Sequence, residues 1–213
     1  MSAPALIALA HGSRDARSAR TVRDIVATTK AMRPDLKIEP AFLDHSRPEL
    51  SAVVDRLVAR GHSEIVVVPL LLTEAYHARV DVPDVVHGVA ERHEGLAIRV
   101  ADVVGTDAAL LSVLDERLRE ALRVSRVCEL DALVLAAAGS SDALANTTVA
   151  RLARLWGNRH HLPTSVAFAS TAPPSTGEAV RDWRRQGRRH VAVGSFFIAP
   201  GKLPDRAEEL ALE

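Results

Sequence analysis

The chain has 213 residues, 47% of them apolar, and its 27 acidic and 27 basic side chains cancel. This is enough for one large α/β domain or two small ones with a sizeable core, and the charge balance argues against a general nucleic-acid binder. A single cysteine, Cys128, excludes an intrachain disulfide and any Cys-x-x-Cys metal cluster, and the longest apolar runs fall short of the roughly 20 residues of a membrane helix.

Strand-type and helix-type periods alternate from end to end. Ala5–Ala10 reads as a buried strand; no basic segment precedes it, so a signal peptide is not expected and a reducing, cytoplasmic setting fits. Val22, Ile25, Val26 and Met32 mark a helical face, and Lys37–Leu43 reads as the second strand. Leu50, Val53, Val54, Leu57 and Val58 form an apolar helical stripe, with Gly61 as its C-terminal stop. Glu64–Leu72 is the third strand, a helix follows at Pro83, Ala97–Val104 is the fourth strand, and Ala108–Val124 is a long helix. Such alternation predicts an α/β fold with a parallel sheet covered on both faces.

The pattern then restarts. Ala132-Leu-Val-Leu-Ala-Ala-Ala-Gly-Ser140 mirrors Ala5-Leu-Ile-Ala-Leu-Ala-His-Gly-Ser13, and the segment around Gly187 mirrors that around Gly61. The offsets at these distant anchors, 127 and 126 residues, agree within one, which points to two similar α/β lobes made by duplication. The expected domains are 1–126 and 127–213, with the site in the cleft between them. The repeat is asymmetric: His11 aligns with Ala138 and His77 with Leu203, and the second lobe lacks a counterpart of the last βα unit before Glu213.

His11 and His77 thus occupy equivalent strand-to-helix turns of the first lobe. Ligands of parallel α/β sheets bind beyond the carboxyl ends of the strands, and two imidazoles there can hold one divalent metal. Gly12 permits a close approach of ligand to backbone, and Ser13 or Asp15 can cap the next helix. Asp44 ends the second strand; it can serve as a third ligand, a proton acceptor, or only a turn or helix-cap residue. Arg79 can reach a carboxylate or stand in solvent. His45 is expected to point elsewhere, and His62, His87, His93, His160, His161 and His190 to be solvated. No Gly-x-Gly-x-x-Gly, Walker loop or Gly-x-Ser-x-Gly occurs, which disfavours nucleotide and serine-hydrolase readings.

Leu9-Ala-His-Gly-Ser-Arg-Asp15, Phe42-Leu-Asp44 before Pro48, and Val67-Val-Pro-Leu-Leu-Leu-Thr-Glu-Ala-Tyr-His-Ala-Arg-Val-Asp-Val-Pro83 resemble the sirohydrochlorin chelatase family of the long, two-repeat CbiX kind. The resemblance covers most of the chain. It implies that His11 and His77 form the metal-binding and catalytic pair, with Asp44 where the family has glutamate and Ala75 where it has glycine. It also implies insertion of Fe(II) or Co(II), as substrate, into sirohydrochlorin for siroheme or cobalamin, with no permanently bound cofactor. That anionic macrocycle suits Ser13, Arg14, Arg47 and Arg79 as binding residues, with Leu72, its neighbours Leu70 and Leu71, and Phe196-Phe197 against the ring. The rival readings are a protoporphyrin ferrochelatase of the same fold, a carrier of tetrapyrrole or metal without turnover, and an α/β binding module whose histidines are incidental.

Overall fold

The structure, a computed structural model, describes residues 3–73, 80–105, 107–127 and 129–213. His77 and Arg79 therefore lie outside the described residues, as does Cys128. Elements run β1(Ala5–Ala10), α1(Ala16–Met32), β2(Ile38–Phe42), α2(Leu50–Ala59), β3(Glu64–Pro69), α3(Val82–Ala90), β4(Ala97–Val100) and α4(Ala108–Ser125). They continue β5(Ala132–Ala137), α5(Ala143–His160), β6(Thr164–Phe168), α6(Thr176–Arg185), β7(Val191–Ser195) and α7(Lys202–Leu212).

Two all-parallel sheets result, in the orders β2-β1-β3-β4 and β6-β5-β7. In each, the strand that opens the repeat is central, which is why Ala5–Ala10 and Ala132–Ala137 are almost wholly apolar and buried. Pro40 is tolerated in β2 because that strand is an edge. On α2, Leu50, Val53, Val54 and Leu57 are all buried against Ile7, Leu9, Ile65 and Val67; each such side chain contributes roughly 1.5–3 kcal/mol. β3 and β4 end sooner than their apolar runs suggested. Beyond the ladder, Leu70, Ala101 and Val104 still donate backbone hydrogen bonds to Leu9, Val67 and Pro69, so the extra apolar residues remain sheltered without being strand.

The repeat is visible in matching details. Asp15 caps α1 and Asp142 caps α5. Gly12 and Gly139 share positive φ, as do His45 and Thr171, and the peptides before Pro48 and Pro174 are both cis.

Packing groups Met1–Gly105 with Ile198–Gly201 in one compact unit and Thr106–Phe197 with Lys202–Glu213 in another. The division expected from the repeat, after residue 126, lies one helix further along. The helix concerned is α4, whose Leu111 is buried and whose Asp115 is bonded to α5. In the second unit β7 pairs with β5 and, among the described residues, ends the sheet on its other side. A cavity of about 530 Å³ runs beside β7, walled by Leu114, Leu118 and Leu122 of α4.

Candidate functional site

The loop after β1 carries His11 and the loop after β2 carries Asp44, side by side at the carboxyl edge of the first sheet. Their backbones are zipped together: Leu43 N–H donates to Ala10 O and Asp44 N–H to His11 O, each at 2.9 Å. Gly12 has φ of +93°, and a Cβ there would fall 1.8 Å from the Asp44 carbonyl oxygen. Only glycine lets the two loops lie this close.

His11 is half-buried, and its Nδ1 lies 3.2 Å from Gly12 O. A carbonyl oxygen only accepts, so the hydrogen of this contact sits on Nδ1. Ser13 Oγ accepts from Asp15 N–H at 3.0 Å, and Asp15, not Ser13, caps α1 through Arg17 N–H. Arg17 pairs with Asp15, and its hydrogen bonds hold that carboxyl below the usual carboxylate range.

Asp44 keeps a largely exposed side chain, and its Oδ1 accepts from His45 N–H at 2.7 Å. The residue at the N-cap of α2 is Glu49, so the helix-cap alternative for Asp44 falls. His45 does not point away as expected: its Nδ1 is 3.3 Å from Asp44 Oδ1. The two polar atoms share one turn, because His45 adopts positive φ.

Arg14 is exposed just beyond Ser13. Arg47 is also exposed, its guanidinium paired with Glu49 and its carbonyl accepting from Arg23 Nη2 at 2.9 Å. Leu72 is half-buried past the end of β3. Leu70 packs against the cluster of Ala10, Val22 and Phe42, and Leu71 against the main core of the unit. Phe196 is not an exposed ring-stacking surface: it is buried in the second unit, and Phe197 packs on Ala136, Ala169 and Ala207. Four histidines expected in solvent meet carboxylates: half-buried His93 with Asp55 at 2.8 Å and His160 with Asp115 at 2.7 Å, and exposed His87 with Glu91 at 3.3 Å and His190 with Asp131 at 3.7 Å.

The structure therefore brings His11, Ser13 and Asp44 together. Among the described residues no three His, Cys, Asp or Glu side chains cluster in a metal-holding arrangement. Ser46 was missed by sequence reasoning, although serine two residues past an aspartate in a turn is a recognisable signal. Its hydroxyl reaches the backbone of Ser13.

Two parallel-sheet α/β units, with an imidazole at the carboxyl end of a central strand, define a chelatase-like fold. The CbiX family model matches residues 5–121 and again 132–211, and the chain belongs to that family. It is 27% identical over 203 residues to a sirohydrochlorin cobaltochelatase of Priestia megaterium, a match covering 94% of this chain and 66% of that protein. It is 28% identical over 205 residues to a sirohydrochlorin ferrochelatase of Bacillus subtilis (strain 168), covering 96% and 77%. The chain thus spans just under two thirds of the length of the cobaltochelatase. Its fold matches that of SirB from Bacillus subtilis with Fe3+ at a TM-score of 0.83 and 24% identity, over 98% of this chain and 82% of that one.

Proposed function

We propose that this chain is a sirohydrochlorin chelatase, inserting Fe(II) or Co(II) into the macrocycle on the way to siroheme or cobalamin. The observation that carries the reading is the placement of His11 and the exposed Asp44 carboxylate on adjoining loops at the carboxyl edge of the first sheet, joined by the Asp44 N–H bond to His11 O at 2.9 Å. Similarity to both cobalto- and ferrochelatases along nearly the whole chain supports it.

Metallation exchanges two pyrrole N–H protons for one divalent ion. Neutral imidazoles of His11 and His77 deliver the ion, because nitrogen ligands bind such metals without the grip of thiolates. Asp44, open to water, accepts protons leaving the ring and passes them to solvent. Arg14 and Arg79 pair with the macrocycle's carboxylates, Ser13 and Leu72 line its path, and Arg47 joins them by exchanging Glu49 for a substrate carboxylate. The metal is a substrate, not a resident cofactor. No helix among the described residues is long and apolar enough to cross a membrane, and the setting we propose is cytoplasmic.

The test is metallation of sirohydrochlorin by pure protein with Fe(II), Co(II) and Ni(II) in parallel. Turnover with Fe(II) or Co(II) is the expected result. Tight binding of macrocycle or metal without turnover would make the chain a carrier, and turnover only with protoporphyrin would reassign the substrate.

A further inference from the structure

We infer that Ser46 is a positioning residue that locks the His11 loop to the Asp44 loop, so that metal site and proton acceptor keep one geometry. The inference rests on the chelatase reading above. Ser13 N–H donates to Ser46 Oγ at 3.2 Å, and the same hydroxyl donates to Ser13 O at 3.0 Å. One side chain thus satisfies both backbone groups of a residue 33 positions away. Ser46 is itself held by its N–H bond to Asp44 O at 2.7 Å, and Asp44 N–H is bonded to His11 O. The path Ser13–Ser46–Asp44–His11 closes a ring of hydrogen bonds around both functional loops, all of it within one unit.

The second unit supplies an internal comparison. There the backbone of Ser140, the counterpart of Ser13, is also held at both ends: its N–H donates to Asn146 Oδ1 at 3.0 Å, and Asn146 Nδ2 donates to Ser140 O at 2.7 Å. Asn146 belongs to the helix that the same loop leads into, so that lock stays within one loop and its helix. The position matching Ser46 is Ala172, which has no side-chain hydrogen bond to offer. Both units also tie the two loops together by a side chain: in the second unit Ser170, the counterpart of Asp44, donates its hydroxyl to Ala138 O at 3.0 Å. The second unit makes its tie with the side chain at the Asp44 position, whereas the first makes it with Ser46 and leaves the Asp44 carboxylate exposed beside the His11 loop, at a separation the Ser46 bonds fix.

The experiment compares Ser46→Ala, Ser46→Thr and Asn146→Ala with the unaltered chain. Three quantities are read: the melting temperature, Co(II) affinity by absorbance titration, and kcat and KM for sirohydrochlorin metallation. Supporting partners of metal ligands are typically worth 10–100-fold in affinity or activity. Ser46→Ala is expected to weaken Co(II) binding and lower kcat about tenfold, with KM for the macrocycle little changed. Ser46→Thr, which keeps the hydroxyl, is expected to restore both. Asn146→Ala is expected to lower the melting temperature about as much as Ser46→Ala does, since each removes two backbone bonds, while leaving Co(II) affinity intact. Wild-type Co(II) affinity and kcat in folded Ser46→Ala would overturn the inference, as would equal losses in Asn146→Ala. Should Ser46→Ala fail to fold, Ser46→Cys keeps the volume, weakens the donor, and is read in the same way. If the unaltered chain binds Co(II) but metallates nothing, the chelatase reading fails, and the Co(II) affinities still decide the coupling.

Discussion

The carbonyl oxygen of Asp44 occupies the place where a Cβ on Gly12 would stand, 1.8 Å from the ideal position. This single approach joins the loops after β1 and β2 and explains why glycine follows His11. Gly61 also has positive φ, but nothing lies within 4 Å of its missing Cβ. Gly61→Ala should therefore cost only the backbone preference, about 1 kcal/mol. Gly12→Ala adds an overlap with backbone that cannot move aside, for a total of about 2–4 kcal/mol. Denaturant unfolding of both variants checks this; equal losses would contradict the close approach.

The parts of the fold legible in the sequence were those with local signals. Ala5–Ala10 and Ala132–Ala137 are continuous apolar runs because each strand is central in its sheet, and the α2 stripe repeats with the helical period. What escaped was long-range pairing. His160 sits on a polar stretch of α5, and nothing nearby in sequence announces Asp115, 45 residues earlier. Ser46 reaches Ser13 across 33 residues, and His93 meets Asp55 across 38. Of the site, His11 and Asp44 could be picked from their places at strand ends, but their mutual bonding could not. His77 was picked by the same logic and falls outside the described residues.

Asp115 is buried and accepts three hydrogen bonds, from Trp156 Nε1 at 2.9 Å, Arg159 Nη1 at 2.9 Å and His160 Nε2 at 2.7 Å. Burial pushes its carboxyl up, but the bonds from His160, Arg159 and Trp156 together outweigh burial and leave it below the usual carboxylate value. A group depressed in the folded state contributes stability that is present above its unfolded pKa, about 3.9, and is lost as pH falls through its folded pKa. Asp115→Asn should thus destabilise the chain by about 2 kcal/mol or more at pH 7. The gap to wild type should narrow below about pH 4, where aspartate itself protonates. Thermal melts from pH 7 to pH 3 measure the gap; a pH-independent difference would show that the charge is not what matters.

Asp44→Asn separates charge from shape. Among the described residues the carboxylate's partners are His45 N–H and the His45 ring, and the side chain is largely exposed. Asparagine keeps an acceptor for the N–H, so stability should change by less than about 0.5 kcal/mol. If the carboxylate takes protons from the ring or touches the metal, metallation should slow by roughly 10²-fold, the lower range for loss of a general base. Full activity in a normally folded Asp44→Asn would remove the carboxylate from the chemistry and leave Asp44 as a turn residue.

His11→Ala tests the centre of the assignment. The bond that ties this loop to its neighbour runs from Asp44 N–H to the His11 carbonyl, and truncating the side chain leaves it in place. The ring is half-buried at a strand end and, among the described residues, stands outside the apolar clusters around Ile7, Ala10 and Ala8. Loss of stability should therefore stay within about 1 kcal/mol. The chemistry should suffer far more. The incoming ion loses a nitrogen ligand, so Co(II) affinity should fall, and metallation should drop by about 10²-fold or more. His77→Ala should behave in the same direction if both imidazoles handle one ion, and the double variant should be scarcely worse than either alone, since residues acting as a unit are not additive. The measurements are circular dichroism for the fold, Co(II) titration for the site, and single-turnover metallation for the reaction. Folded His11→Ala with wild-type turnover would end the case for this loop as the catalytic one, and independent, multiplicative losses from His11 and His77 would place the two imidazoles in separate steps.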